Sequence, residues 1–403
     1  MNDSEHSQGA GVLAPYVDGF ESHLRKCGYS TGSRRLHLRL MRGLGRRMGD
    51  LGLGMPQLGD DMVEGFVRDR RAAGYRSGRS SRSLTPLLEY LRGAGVLAPP
   101  QPRPPEGPVE ILLAEYRQYL IGERGLAAST VQKELPLARS FLAGYVHDDG
   151  LDLSRVTADG VIGFMLACVA RASTSTVQRT GTALRSLLRF LHVSGRVGPG
   201  LADAVPAAAN WKLAALPKYL TAVQVDAMLA SRDTGTTAGL RDAAVLRILS
   251  RMGLRAGEVA SLKLRDIDWR RGEVTIHGKG NHHDRLPLPE DVGMAIVAYL
   301  RVRVTGIAGG GEVFVGFKAP HGALTRFAVT QIVARTAQQC GLGTVRAHRL
   351  RHTAATAMLQ AGASLEDIGQ VLRHQHVLTT AIYAKIDHDR LRPLARPWPG
   401  EPA

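Results

Sequence analysis

The chain has 403 residues, 52 Lys and Arg against 36 Asp and Glu, a formal charge of +16 and 44% apolar residues. That length suits two to four domains, and the apolar stretches fall well short of the ~20 residues that a membrane span needs. The opening MNDSEHS carries no secretory pattern, and the three cysteines, Cys27, Cys168 and Cys340, form no CxxC pair, so a reduced cytoplasmic protein without a disulfide framework is expected.

Along the chain, Gly28-Tyr-Ser-Thr opens a first long helical pattern, RRLHLRLMRGLGRRM. Leu84, Leu87, Leu88 and Leu91 then mark the buried stripe of an amphipathic helix. Residues 98–108, APPQPRPPEGP, hold six prolines and read as a semi-rigid linker. A second helical region follows, with VQKELPLARSFLAGY after Ser129 and a stripe of Leu184, Leu187, Leu188 and Leu191. Ser129 and Ser175 are the expected helix N-caps there.

The two regions resemble each other. Gly28-Tyr-Ser-Thr matches Gly125-Leu-Ala-Ala-Ser-Thr, Asp61-Met-Val-Glu-Gly-Phe-Val matches Asp159-Gly-Val-Ile-Gly-Phe-Met, and Leu87-Leu-Glu-Tyr-Leu-Arg-Gly matches Leu187-Leu-Arg-Phe-Leu-His-Val, at offsets of 97 to 100 residues. An internal duplication of an all-helical unit is therefore expected. The prolines and glycines of 198–217 form a second linker. Beyond it, Thr221 is the expected N-cap, residues 242–249 continue as helix, and Glu273-Val-Thr-Ile-His alternates as a strand. The loop GKGNHHDR and the return Arg285-Leu-Pro-Leu complete a β-hairpin, and helices run from Thr325 to about Leu372 with breaks at Gly341 and Gly362. These boundaries give 1–97 as a helical unit, 109–197 as its counterpart, 218–394 as a mixed α+β domain and 395–403 as a tail.

The basic residues are 44 Arg and 8 Lys. Such a surface favours a polyanionic partner, because neutralised phosphates release counterions and arginine's planar fork fits phosphate oxygens. The bland alternative is the residue usage of a GC-rich genome. In the last domain, Arg255 lies three residues before Glu258, Lys279 sits between two glycines, and His348 shares a helix face with Arg351. His374 and Tyr383 follow. Singly, each has an ordinary structural reading: a surface ion pair, a solvated lysine, a packed tyrosine. His348 and His352 at i, i+4 also have zinc-ligand spacing, but no HExxH glutamate stands between them and arginines adjoin them.

Together these residues suit phosphodiester chemistry without a metal. Arginines clamp the non-bridging oxygens, lysine and histidine move protons, and a tyrosine hydroxyl is a covalent nucleophile. A cationic pocket is expected to ease ionisation of that hydroxyl from its ordinary pKa of about 10.

The order and wording of these segments resemble the tyrosine recombinase (phage integrase) family. GLRAGEVASLKLRDID resembles its first-arginine box, GKGNHHDRLPLP its β-hairpin lysine, HRLRHTAATAML its HxxR box, and LRHQHVLTTAIY its histidine-to-tyrosine box. LIGERGLAASTVQ is similar to the family's SAM-like core-binding domain. The resemblance implies a mainly α fold with a small β-hairpin or sheet: helical SAM-like core-binding units followed by a mixed α+β catalytic domain.

It also implies a site-specific recombinase that cuts and rejoins duplex DNA through a 3′-phosphotyrosyl link. Arg255 and Arg351 would grip the phosphate, Lys279 would protonate the leaving 5′ oxygen, and His348 would serve as acid and base. His374 would donate a hydrogen bond to the phosphate, Tyr383 would attack phosphorus, and Glu258 would orient its neighbours. No cofactor or metal is implied; the implied partners are double-stranded DNA and a homotetramer or partner recombinases, with a short helix at 386–394 packing on a neighbouring protomer. Arg373 stands where the family has glycine, so a positive φ there would be strained. A non-catalytic DNA-binding regulator, a type IB topoisomerase, and a metallohydrolase using His277, His282, His283 and His348 are the alternatives.

Overall fold

The structure, a computed structural model, describes residues 11–99, 104–147, 150–207, 218–278, 283–303, 311–317, 319–373, 380, 382 and 383. The fold is mainly α with two small sheets. Packing divides the chain into two compact units: Met1–Pro99 together with Ala215–Ala403, and Pro100–Ala214. No helix among the described residues is long and apolar enough to cross a membrane.

The amino-terminal helices are α1 (Val17–Lys26), α2 (Thr31–Asp50), α3 (Asp60–Ala72) and α4 (Thr85–Gly93). Ser30 caps α2 by accepting from the Ser33 amide, which satisfies one of the donors that a helix start leaves open. The predicted leucine stripe faces inward: Leu84, Leu87 and Leu91 are buried beside Phe20, Met41 and Phe66, each such side chain contributing roughly 1.5–3 kcal/mol. The turn after α1 needs glycine. Gly28 takes φ 79, and a Cβ there would meet the His321 ring at 2.2 Å, so the amino-terminal helices abut the carboxy-terminal part of their own unit at this point.

The second unit contains α5 (Pro108–Gly122), α6 (Ala128–Leu142), a two-residue β-ladder of β1 (Val146–His147) and β2 (Gly150–Leu151), α7 (Ala158–Arg171) and α8 (Thr174–Val193). Leu184, Leu187, Leu188 and Leu191 are all buried in its core. The caps fall earlier than expected. Ala127 is the N-cap of α6 and Ser173 that of α8, so Ser129 and Ser175 lie inside their helices. In α8, three hydroxyls compete at the start, with Ser173 Oγ bonding both Ser175 Oγ and Thr176 Oγ1.

The remainder is built on α10 (Thr237–Arg251), which follows α9 (Ala222–Ala230) and is buried along most of its length. After it come α11 (Ala256–Ser261), β3 (Ile267–Asp268), β4 (Glu273–His277) and β5 (His283–Pro287), then α12 (Glu290–Val302), α13 (Arg326–Gln339), α14 (Ala347–Gln360) and α15 (Leu365–Leu372). The three strands pair antiparallel in the order β3-β4-β5, with Val274 opposite Leu286 and His277 opposite His283. Valine and isoleucine alternate inward on β4, and the expected hairpin is present. Thr221 caps α9 through a reciprocal bond with Gln224. The segment 386–394, where a short helix was expected, lies outside the described residues.

Near the start of α10, Arg241 lies buried with two bonds to Asp242, a bond to the Val315 carbonyl and its guanidinium 4.2 Å above the Phe317 ring. Gly239 lets the backbone of this helix touch the preceding turn: an added Cβ would stand 1.7 Å from the Asp233 carbonyl oxygen. Gly239→Ala therefore destabilises the protein by about 1–3 kcal/mol or more, read as a lower urea midpoint with the slope unchanged.

Candidate active site

Five segments separated in sequence meet at one cavity of about 1080 Å³, the start of α13 contributing Arg326. The turn from α10 into α11 brings Arg255 and Glu258, the β4–β5 hairpin brings His277 and Asp284, α14 brings His348 and Arg351, and the end of α15 brings Arg373. Each side chain is placed by an ordinary local cause. Arg255 is the N-cap of α11, and Glu258, three residues on, bonds back to the Arg255 amide at 2.7 Å. Its other oxygen accepts from Arg255 Nη1 at 2.8 Å. The surface ion pair that the spacing suggested is thus half-buried: the carboxylate is 6% exposed, and the guanidinium is 44% exposed toward the cavity.

Arg351 is the central group. It is 1% exposed, and its fork donates to the Gly253 carbonyl at 2.7 Å and to the Leu372 carbonyl. It thereby ties α14 to the turn before α11 and to the end of α15. Burial, and then neighbouring Arg255, bring its pKa down to about 10, still well above neutrality, so the group remains charged. Gly253 has φ 62 and no room for a Cβ, which would stand 2.6 Å from Leu372.

Arg373 does take the left-handed conformation, with φ 55 and ψ 53. It is the sole non-glycine residue among those described with positive φ, a placement that costs an L-residue roughly 1–2 kcal/mol. Its side chain is 7% exposed and offsets that cost by bonding Glu258 Oε2 at 2.7 Å. One carboxylate therefore holds two guanidinium groups. The Arg373 carbonyl also accepts from Arg255 Nη2 at 3.2 Å.

Tyr383 packs against Ala355, Leu359, Ile368 and Leu372, is 1% exposed, and does not line the cavity. Its hydroxyl lies 2.8 Å from Nδ1 of His352, a residue considered at the level of sequence only as half of a zinc pair. The His352 and His348 rings meet edge to face at 4.4 Å. Burial, then His348 and Arg351, lower the His352 pKa to about 4, while desolvation, then Arg351 and Arg255, lower that of His348. A neutral His352 thus accepts the bond that the tyrosine hydroxyl donates.

The expectation that a cationic pocket eases ionisation of the tyrosine is corrected here. Burial raises the Tyr383 pKa to about 12, and the opposing pull of Arg351 is the smaller effect. A ring enclosed by apolar side chains loses the water that would solvate a phenolate.

Lys279, His282 and His374 lie outside the described residues. Gly278 and Asp284, which flank the hairpin tip, do line the cavity, as does Arg373, which precedes His374. His277 bonds Asp266 at 2.9 Å and meets the His283 ring at 4.6 Å. No group of three His, Cys, Asp or Glu side chains among the described residues is arranged to hold a metal ion.

Comparison with known proteins adds to this geometry. Residues 218–390 match the phage integrase family, and residues 113–195 match the phage integrase N-terminal SAM-like domain. A putative integrase/recombinase of Sinorhizobium fredii is 35% identical over 397 residues, covering 97% of this chain and 96% of the relative. Tyrosine recombinase XerD of Listeria monocytogenes is 32% identical over 290 residues, 70% of this chain and 96% of its own length. Two solved structures share the fold. XerH recombinase bound to its palindromic difH substrate has a TM-score of 0.54, 18% identity, and coverage of 89% of this chain and 95% of that one. A lambda integrase tetramer bound to a Holliday junction has a TM-score of 0.53, 15% identity, and coverage of 81% and 92%.

Two outcomes follow from the geometry. Arg373→Ala keeps the unfavourable φ and loses the ion pair, whereas Arg373→Gly loses the pair but relieves the backbone. The glycine variant should therefore melt above the alanine variant, by a margin equivalent to about 1 kcal/mol. A histidine held neutral in the fold takes up its proton more readily when unfolded. Stability from His352 is thus complete above about pH 6.5 and is lost as pH falls toward 4, with His348 acting in the same direction. His352→Asn should flatten the acid limb of a plot of melting temperature against pH.

Proposed function

The chain belongs to the phage integrase family of tyrosine recombinases, and from that premise we propose how its residues divide the work of a site-specific recombinase on duplex DNA. The observation that carries this reading is the convergence of Arg255, His348 and Arg351 on one cavity, with Tyr383 one histidine away. Cutting proceeds by attack of the Tyr383 oxygen on phosphorus. A P–O bond to tyrosine forms as the bond to the 5′ oxygen breaks, the phenol proton passes to a histidine, and the 5′ oxygen takes a proton from Lys279. The energy of the broken linkage stays in the phosphotyrosyl bond, so rejoining is the same step in reverse.

Arg255 and Arg351 hold the non-bridging oxygens and offset the charge that builds on them, a type of stabilisation worth about 10²–10³ in rate for a single donor. His348 acts as acid and base, His374 donates to the phosphate, and Glu258 positions Arg255. The residues themselves supply the charge and the proton transfers of this scheme, with no cofactor drawn in.

We assign residues 109–197 to the core-binding domain, 218–394 to the catalytic domain and 1–97 to a diverged copy of the core-binding unit. The assembly is four copies, or copies with partner recombinases, on two DNA sites, as lambda integrase forms a tetramer on a Holliday junction. The compartment is the cytoplasm, where bacterial DNA lies.

Nicked suicide duplexes with a randomised centre provide the test, because loss of the short 5′ fragment traps the covalent adduct. Wild type should give a protein–DNA band that survives denaturation, and Tyr383→Phe should give none. Absence of a band from wild type as well would favour the non-catalytic, DNA-binding reading. Arg351→Lys should lower the trapping rate about 10²–10³-fold, since an ammonium cannot bridge two carbonyls and still face a phosphate.

A further inference from the structure

The charge is divided unevenly between the two related helical regions. Residues 11–99 carry 15 basic and 8 acidic side chains, whereas residues 104–207, which include the segment matching the SAM-like domain, carry 10 of each. Part of that excess, three arginines with no acidic residue among them, lies where the structure of the first region departs from its counterpart. In the second region α8 is a continuous helix from Thr174 to Val193. Aligned on the matched leucines (Leu84 with Leu184, Leu87 with Leu187, Leu91 with Leu191), the first region has α4 beginning only at Thr85. The three turns corresponding to 174–184 are replaced by GYRSGRSSRSL, residues 74–84, irregular as far as Ser80 and then a short 3-10 turn over Ser81–Leu84.

The exchange has a physical cost. Val177, Thr180, Gly181 and Ala183 of α8 are buried, and the aligned positions are Ser77, Ser80, Ser81 and Ser83. Apolar burial and helical hydrogen bonds are given up. What appears instead is a set of exposed arginines, Arg76, Arg79 and Arg82, next to Arg71 and the half-exposed ring of Tyr75.

The segment is nevertheless held in one shape. Buried Arg70 sets its guanidinium 3.9 Å from the Tyr75 ring centre and donates to the Ser77 carbonyl at 3.1 Å. Arg71 Nε donates to the Arg79 carbonyl at 2.7 Å. Gly78, at φ 67, lies so close to Leu40 that a Cβ would meet it at 2.5 Å. A loop fixed at three points loses little conformational entropy when it binds.

We propose that the 74–84 segment of the amino-terminal unit is a second DNA-contacting surface, which grips the phosphate backbone through Arg76, Arg79 and Arg82. This rests on the reading of the chain as a recombinase acting on DNA and extends it to a region outside the two matched family segments. A sugar-phosphate backbone fits better than an acidic protein. The arginines are spaced three residues apart on a serine-rich loop, so guanidinium forks and hydroxyls are offered together, the donor types that dominate binding to phosphate oxygens.

The test uses the full chain and a 40-base-pair duplex of random sequence. Affinity is measured across a KCl series for wild type and for the triple variants Arg76→Ala/Arg79→Ala/Arg82→Ala and Arg76→Lys/Arg79→Lys/Arg82→Lys. Each phosphate that the protein no longer neutralises lowers the slope of log affinity against log salt by about 0.9. The alanine triple should therefore lose about 2–3 from that slope and bind at least ~10-fold more weakly, the lysine triple should keep most of both, and all three proteins should unfold at the same urea midpoint. Unchanged slope and affinity in the alanine triple would overturn the proposal. So would unchanged affinity accompanied by altered sedimentation, which would assign the segment to protein–protein docking. Trapping on the nicked duplexes is scored in parallel: a wild type that forms no adduct counts against the recombinase reading, while the salt slopes still decide the role of this loop.

Discussion

The site depends on a buried cation that is held by backbone rather than by a carboxylate of its own. The fork of Arg351 reaches the carbonyls of Gly253 and Leu372, residues that belong to segments about a hundred positions and about twenty positions away. Carbonyl dipoles satisfy the donors without cancelling the charge, so the field is left available to an anion in the cavity. The same two bonds set the distance between the α10–α11 turn, α14 and the end of α15. Gly253 has to be glycine, because its φ is 62 and a Cβ there would run into the Leu372 side chain.

Around this group the charges are graded. Arg255 faces the cavity but is steadied by Glu258, Arg373 is almost fully enclosed and steadied by the same carboxylate, and His348 is kept neutral by burial and by its two cationic neighbours. Neutral imidazoles suit proton transfer, since they can accept before they donate. Tyr383 stands apart from this electrostatic logic. Its ring lies in an apolar cluster, its pKa is raised, and its hydroxyl is matched to His352 rather than to an arginine. The enclosure that places the Tyr383 hydroxyl also opposes its ionisation, so the phenol is held protonated in this arrangement.

Much of this was legible in the chain before folding. Period-3.6 leucines located the helices of both related regions, the alternation in Glu273-Val-Thr-Ile-His located the strand, and motif order located Arg255, Glu258, His348 and Arg351 on what proved to be one cavity. Arg373 was recognisable as an arginine at a position requiring positive φ. Its compensation was not, because Glu258 lies 115 residues away and nothing local points to it. His352 escaped because spacing relates it to His348 and a metal, whereas its actual partner comes from a distant turn. The two serine caps were each misplaced by two residues for a different reason. Runs such as Ala-Ala-Ser-Thr and Ala-Ser-Thr-Ser-Thr offer several starts of nearly equal merit, and the core, not the cap, decides among them.

The cavity is lined by five arginines, Arg255, Arg326, Arg346, Arg351 and Arg373, against two carboxylates, Glu258 and Asp284. With nothing anionic inside, those guanidinium groups repel one another across a space in which water screens them incompletely. An anion placed among them offsets that repulsion. The surplus of fixed positive charge thus makes the cavity selective for anions before any particular contact is formed.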